Sequence, residues 1–127
     1  MKNLFTYPLM DAVNESEGID QPSYPTVSPE QFSKIIADKD VYLLDVRDKD
    51  EFAEAHIKNA NNIDVLQPDF EAKAKEILPK DKTIAVYCRS GKRSKMAADI
   101  LSRDGYKIVN LDGGITDWMD KGYPVVH

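Results

Sequence analysis

The chain contains one cysteine, Cys88, where the apolar run Thr83-Ile84-Ala85-Val86-Tyr87 gives way to the basic stretch Cys88-Arg89-Ser90-Gly91-Lys92-Arg93-Ser94. A single cysteine is commonly a small buried hydrophobe, and the neighbours argue for chemistry instead. Arg89, Lys92, Arg93 and Lys95 gather positive charge around this thiol in a chain whose formal net charge is -5. A thiolate is the nucleophilic form of cysteine, and nearby cations or a helix N-terminus stabilise it. The spacing therefore predicts a nucleophile that ionises more readily than a free thiol.

The elements on either side set where that thiol stands. Residues 83–87 read as a buried strand. The segment after Gly91 reads as an amphipathic helix, residues 92–103, with Met96, Ala97, Ile100 and Leu101 on one face and Gly105 as its C-terminal stop. Cys88 thus falls at a strand-to-helix junction. Upstream, Ser28-Pro29-Glu30-Gln31 has a capping serine, proline at the first helical position and glutamine three residues after the cap; Phe32, Ile35 and Ile36 supply the apolar face. Residues 41–46 form a nearly continuous apolar run suited to a strand buried on both faces. Asp48 with Glu51 opens a short helix toward His56, Ile63 marks another strand, and residues 68–78, with Phe70, Ala74, Ile77 and Leu78 as the apolar face, form a helix that Pro79 ends. Lys107 to Leu111 reads as the last strand, and Ile115, Trp118 and Met119 give a final helix its apolar face. Strands alternating with helices imply parallel βαβ units: a three-layer α/β/α domain around a central, mainly parallel sheet. Sites in such sheets form beyond the carboxyl ends of strands, where Cys88 lies. Asp45 and Arg47 end a neighbouring strand and are expected to support the site as an ion pair or loop brace.

Cys88-Arg89-Ser90-Gly91-Lys92-Arg93 resembles the active-site loop of rhodanese-like sulfurtransferases. Leu43-Leu44-Asp45-Val46-Arg47, Glu51-Phe52, His56-Ile57 and Ala60-Asn61-Asn62-Ile63 resemble the family's upstream signature. Leu111-Asp112-Gly113-Gly114-Ile115, Trp118 and Gly122-Tyr123-Pro124-Val125 resemble its closing segment. The likeness spans residues 23–127, with Ala55 where the family usually has glycine and Asp64 where it commonly has proline. It implies that Cys88 accepts a sulfane sulfur from a small anionic donor such as thiosulfate, holds it as a persulfide, and hands it to a second nucleophile. Arg89, Ser90, Gly91, Lys92 and Arg93 would form the substrate-binding loop, aiming backbone N–H groups at the sulfur. With no second cysteine in the sequence, the acceptor must be external: cyanide in vitro, a small thiol, or a thioredoxin-like protein.

A cysteine-dependent phosphatase or arsenate reductase uses a similar cradle, but its arginine lies six residues after the cysteine. Here that position is Ser94, and Tyr87 stands where such phosphatases usually have histidine. A module that only docks partners or carries sulfur is the third alternative. The 127 residues, 42% hydrophobic, suffice for one domain, placed at 23–127. Residues 11–25 are polar and proline-punctuated and read as a linker or loosely ordered arm, so the extension, 1–22, is expected to be poorly ordered or loosely packed. The acidic balance argues against nucleic acid, no run reaches membrane-spanning length, and no metal or cofactor motif is present. A lone cysteine and the lack of a secretory signal favour a cytoplasmic setting.

Overall fold

The computed structural model of the chain describes residues 23–127; the expected extension, 1–22, lies outside them. The element order is β1 (Thr26–Val27), α1 (Pro29–Ile35), β2 (Val41–Asp45), α2 (Lys49–Glu54), β3 (Asn61–Asn62), α3 (Phe70–Ile77), β4 (Thr83–Tyr87), α4 (Lys92–Arg103), β5 (Lys107–Leu111) and α5 (Gly114–Asp120). The strands form one parallel sheet in the order β1-β5-β4-β2-β3, which puts the strand before Cys88 at the centre. The expected α/β architecture is thus present, and the site lies past the carboxyl end of the middle strand.

Alternation along the strands divides the core between the two faces. Leu44, Val46, Ile84, Val86 and Ile108 meet Ala74, Leu78, Ala97, Ala98 and Leu101 of α3, its C-cap and α4. On the other face Leu43, Ala85, Tyr87, Val109 and Leu111 meet Phe32 of α1 and Ile115 and Trp118 of α5. Each fully buried large aliphatic or aromatic side chain contributes about 1.5–3 kcal/mol. Trp118 lies edge-on to Phe32 and donates its indole N–H to the Pro124 carbonyl at 2.8 Å, which ties the C-terminal segment down.

Local signals set the helix boundaries. Ser28 and Asp48 each close a full capping box, with Gln31 and Glu51 as the reciprocal partners. After α4, the Gly105 N–H reaches the Ser102 carbonyl and the Tyr106 N–H the Leu101 carbonyl, a Schellman stop with Gly105 at φ +94°. Both departures from the family pattern are accommodated. Ala55 is in extended backbone, φ -166°, where no glycine is needed. Asp64 accepts the Leu66 N–H at 2.9 Å and so makes its own turn.

Three expectations need correction. Met96, Met119 and Ile77, read as parts of apolar helix faces, are exposed; the buried stripes are narrower than a periodicity count suggests. The Ile63 strand is a two-residue pairing at Asn61–Asn62, with Ile63 just beyond it. The polar stretch read as a linker up to residue 25 ends sooner, since the Pro25 carbonyl accepts the Asn110 N–H and Thr26–Val27 pairs with β5 as the sheet edge.

Candidate active site

Cys88 is 1% exposed and continues the line of β4 into a tight loop. The chain reverses at Gly91, whose φ of +114° suits a residue without Cβ. That reversal turns the Gly91 N–H onto Cys88 Sγ at 3.0 Å. Ser94, fully buried on the first turn of α4, places its Oγ 3.6 Å from the same sulfur and donates to the Gly91 carbonyl at 3.1 Å. The sulfur is therefore held between a backbone N–H and a hydroxyl, both fixed by the start of a twelve-residue helix.

A second helix shapes the loop from behind. The Ile115 N–H of α5 donates to the Cys88 carbonyl at 2.9 Å, and the Thr116 N–H to the Arg89 carbonyl at 3.1 Å. In a trans peptide the N–H points opposite to the C=O. Tying these two carbonyls to α5 thus turns the N–H groups of Arg89 and Ser90 away from it. The approach is so close that a Cβ on Gly114 would stand 2.3 Å from the Arg89 carbonyl oxygen and 2.6 Å from that of Cys88.

The loop cations are not all free. Arg93 makes a bidentate pair with Glu51 of α2, Nη1 to Oε1 at 2.7 Å and Nη2 to Oε2 at 3.0 Å. Arg89 Nε reaches Glu51 Oε2 at 3.0 Å. Hydrogen bonds from Arg93, then from Arg89 and the Asp48 backbone, outweigh burial and hold the Glu51 carboxyl down at about 2. Arg93 is raised by its bonds to Glu51, with the nearby Cys88 adding to the effect. Lys92 stays exposed at the rim, as does Ser90. Sequence reasoning placed Arg89, Ser90, Gly91, Lys92 and Arg93 on one loop with Cys88, and they share it. In the sequence Glu51 reads as a helix cap and as part of the upstream signature, and its pairing with the loop has no local signal, because the arginines lie 38 and 42 positions away.

Asp45 and Arg47 form a buried pair next to this assembly. Arg47 Nη2 lies 2.7 Å from Asp45 Oδ2 and 2.6 Å from the Ala55 carbonyl, so the pair braces the end of α2 against β2. Arg47 also lies over the Tyr87 ring, and the Tyr87 hydroxyl accepts the Ile57 N–H at 3.0 Å. Burial pushes the Tyr87 phenol up, which keeps it neutral. His56 stacks on Phe52 and contacts its carbonyl at 2.8 Å, at the end of α2. Two recesses flank the loop. One, of about 340 Å³, is bounded by Arg47, Glu51, Arg89, Thr116 and Met119. The other, of about 490 Å³, is bounded by Ser90, Lys92, Lys95, Asn110 and Asp112.

The fold and the site together define a parallel α/β domain whose central strand runs into a cysteine loop closed by the next helix. The chain belongs to the rhodanese-like domain family, whose model matches residues 28–121. It is 39% identical over 103 residues to a sulfurtransferase of Allochromatium vinosum, covering 79% of this chain and 92% of that one. It is 31% identical over 97 residues to the thiosulfate sulfurtransferase GlpE of Coxiella burnetii, covering 75% and 87%. A crystal structure of a rhodanese-related protein from Thermoplasma volcanium superposes with a TM-score of 0.72 at 36% identity, covering 81% of this chain and 98% of that one.

Proposed function

We propose that the protein is a sulfurtransferase that carries sulfur as a Cys88 persulfide. The observation that carries the reading is the Gly91 N–H directed at Cys88 Sγ at 3.0 Å inside a loop closed by Arg93. The Cys88 thiolate attacks the outer sulfur of thiosulfate, the S–S bond breaks, and sulfite leaves with its electron pair. The persulfide anion that remains is then attacked at its outer sulfur by an external thiolate or cyanide. That step returns the Cys88 thiolate and releases a persulfide or thiocyanate. Negative charge stays on sulfur throughout, so fixed N–H dipoles and the loop cations favour every stage without reorganising. Arg89, Ser90, Gly91, Lys92 and Arg93 bind the donor, and Asp45 and Arg47 act as supporting residues. Relatives named as sulfurtransferases support this reading.

No helix among the described residues is long and apolar enough to cross a membrane. The reading places the domain at residues 23–127, works without a cofactor, and takes its acceptor from the cytoplasm as a small thiol or a thioredoxin-like protein. The loop argues against phosphoryl transfer, because arginine comes five residues after the cysteine and position six is Ser94, buried against the sulfur. Incubation with thiosulfate followed by intact-mass measurement tests both. A gain of one sulfur atom, reversed by a thiol reductant and missing in Cys88→Ser, is expected. No gain, with turnover of an aryl phosphate, would replace the sulfur reading by the phosphatase one.

A further inference from the structure

Glu51 is the one acidic side chain bonded to the loop's cations among the described residues. It lies on α2, far from the loop in sequence, and bridges two guanidinium groups that would otherwise repel each other. Bidentate pairing with Arg93 fixes that guanidinium in direction as well as in distance. The three groups together keep a single net positive charge next to the sulfur, with Lys92 exposed at the rim.

We infer that Glu51 is a positioning and selectivity residue: it holds Arg93 and Arg89 over the loop while cancelling one of their two charges, and so biases the site toward donors of low negative charge. This rests on the sulfurtransferase reading for its substrate, thiosulfate, but not for its electrostatics, which alkylation of Cys88 reads independently. A site stripped of the carboxylate gains one positive charge. Its affinity should then rise more for a dianion than for a monoanion and not at all for a neutral reagent.

Glu51→Gln is the informative variant. Glutamine also serves at the third position of a capping box, so α2 keeps its start, while the charge is lost. With thiosulfate as the doubly charged donor and benzenethiosulfonate as the singly charged one, Glu51→Gln should lower the thiosulfate KM about fivefold, the scale of one part-exposed charge, and the benzenethiosulfonate KM about twofold. The thiosulfate effect should fade at high salt. Glu51→Asp keeps the charge and should retain the parent preference between the two donors. Without any sulfur donor, the rate of Cys88 alkylation by iodoacetate, a monoanion, relative to neutral iodoacetamide should rise about twofold in Glu51→Gln. An unchanged ratio in the folded variant overturns the inference even if thiosulfate turnover is strong. A raised ratio with no thiosulfate turnover upholds the electrostatics and counts against the sulfurtransferase reading alone. Equal changes in both donors' KM, or a fall in kcat with KM unmoved, also overturn it.

Discussion

Gly114 gives the sharpest test of how the loop is shaped. Its φ is +62°, and a Cβ there would meet the Arg89 carbonyl oxygen at 2.3 Å and its carbon at 2.5 Å. Gly114→Ala is therefore short of ordinary contact by roughly 1 Å, against backbone that cannot swing aside as a side chain can. The left-handed conformation costs an alanine about 1–2 kcal/mol, and the overpacking adds about 1–3 kcal/mol. Total stability for a domain of this size is about 5–15 kcal/mol, so the variant should still fold at 25 °C. What relaxes is the loop: the 2.9 Å bond from the Ile115 N–H to the Cys88 carbonyl must lengthen, and with it shifts the aim of the Gly91 N–H at the sulfur. A displacement of about 1 Å at reacting atoms can cost on the order of 100-fold in rate. Gly113→Ala is the control. Its φ is +73°, and the nearest atoms its Cβ would meet all belong to the Asp117 side chain, the carboxylate at 2.0 Å and Cβ at 2.7 Å, with none from the backbone of the cysteine loop among them. Urea unfolding should register a loss in both variants. Sulfur transfer from thiosulfate to cyanide should fall by about two orders of magnitude in Gly114→Ala and by only a small factor in Gly113→Ala. Equal activity losses in the two, or full activity in a folded Gly114→Ala, would refute the account of α5 as the loop's mould.

The buried Asp45–Arg47 pair should be costly to break from one side. Asp45→Asn leaves the Arg47 charge buried without its counter-ion and should lower stability by about 3–5 kcal/mol, visible as a lower urea midpoint at unchanged slope. Glu51 should make the fold sensitive to acid. Its carboxyl sits at about 2 against an ordinary 4.5, so the folded state binds its proton less readily than the unfolded one. That stability is fully present above about pH 5 and lost as pH falls toward 2; it is on the order of 1–3 kcal/mol, because the Arg89 partner is exposed and screened. Unfolding free energy measured from pH 6 to 2.5 should fall less steeply in Glu51→Gln than in the parent chain, and parallel curves would contradict the assignment.

Much of this protein is written in short-range terms. A Ser-Pro start, a Gly stop and two short apolar runs depend on neighbours within about one helical turn or one strand. That is why 83–87, 92–103 and 107–111 match β4, α4 and β5 at their ends. The thiol at the junction and its cationic loop are legible for the same reason. Thr26–Val27 was not, because two residues carry no period and become a strand only when β5 offers an edge. Met96 and Met119 have the right spacing for burial but lie past the rims of the faces that neighbouring elements cover.

The sequence by itself determined the kind of domain, the cysteine at the end of its central strand and the loop that surrounds it. Tertiary structure alone decided what that loop's charges do. Glu51 reaches Arg89 and Arg93 across about 40 residues of chain from upstream, and α5 grips the backbone of Cys88 and Arg89 from downstream, beyond α4 and β5. Neither contact has a local signature. Charge pairing and backbone docking depend on distance in space, and only the closing of the sheet brings α2 and α5 to the end of its central strand.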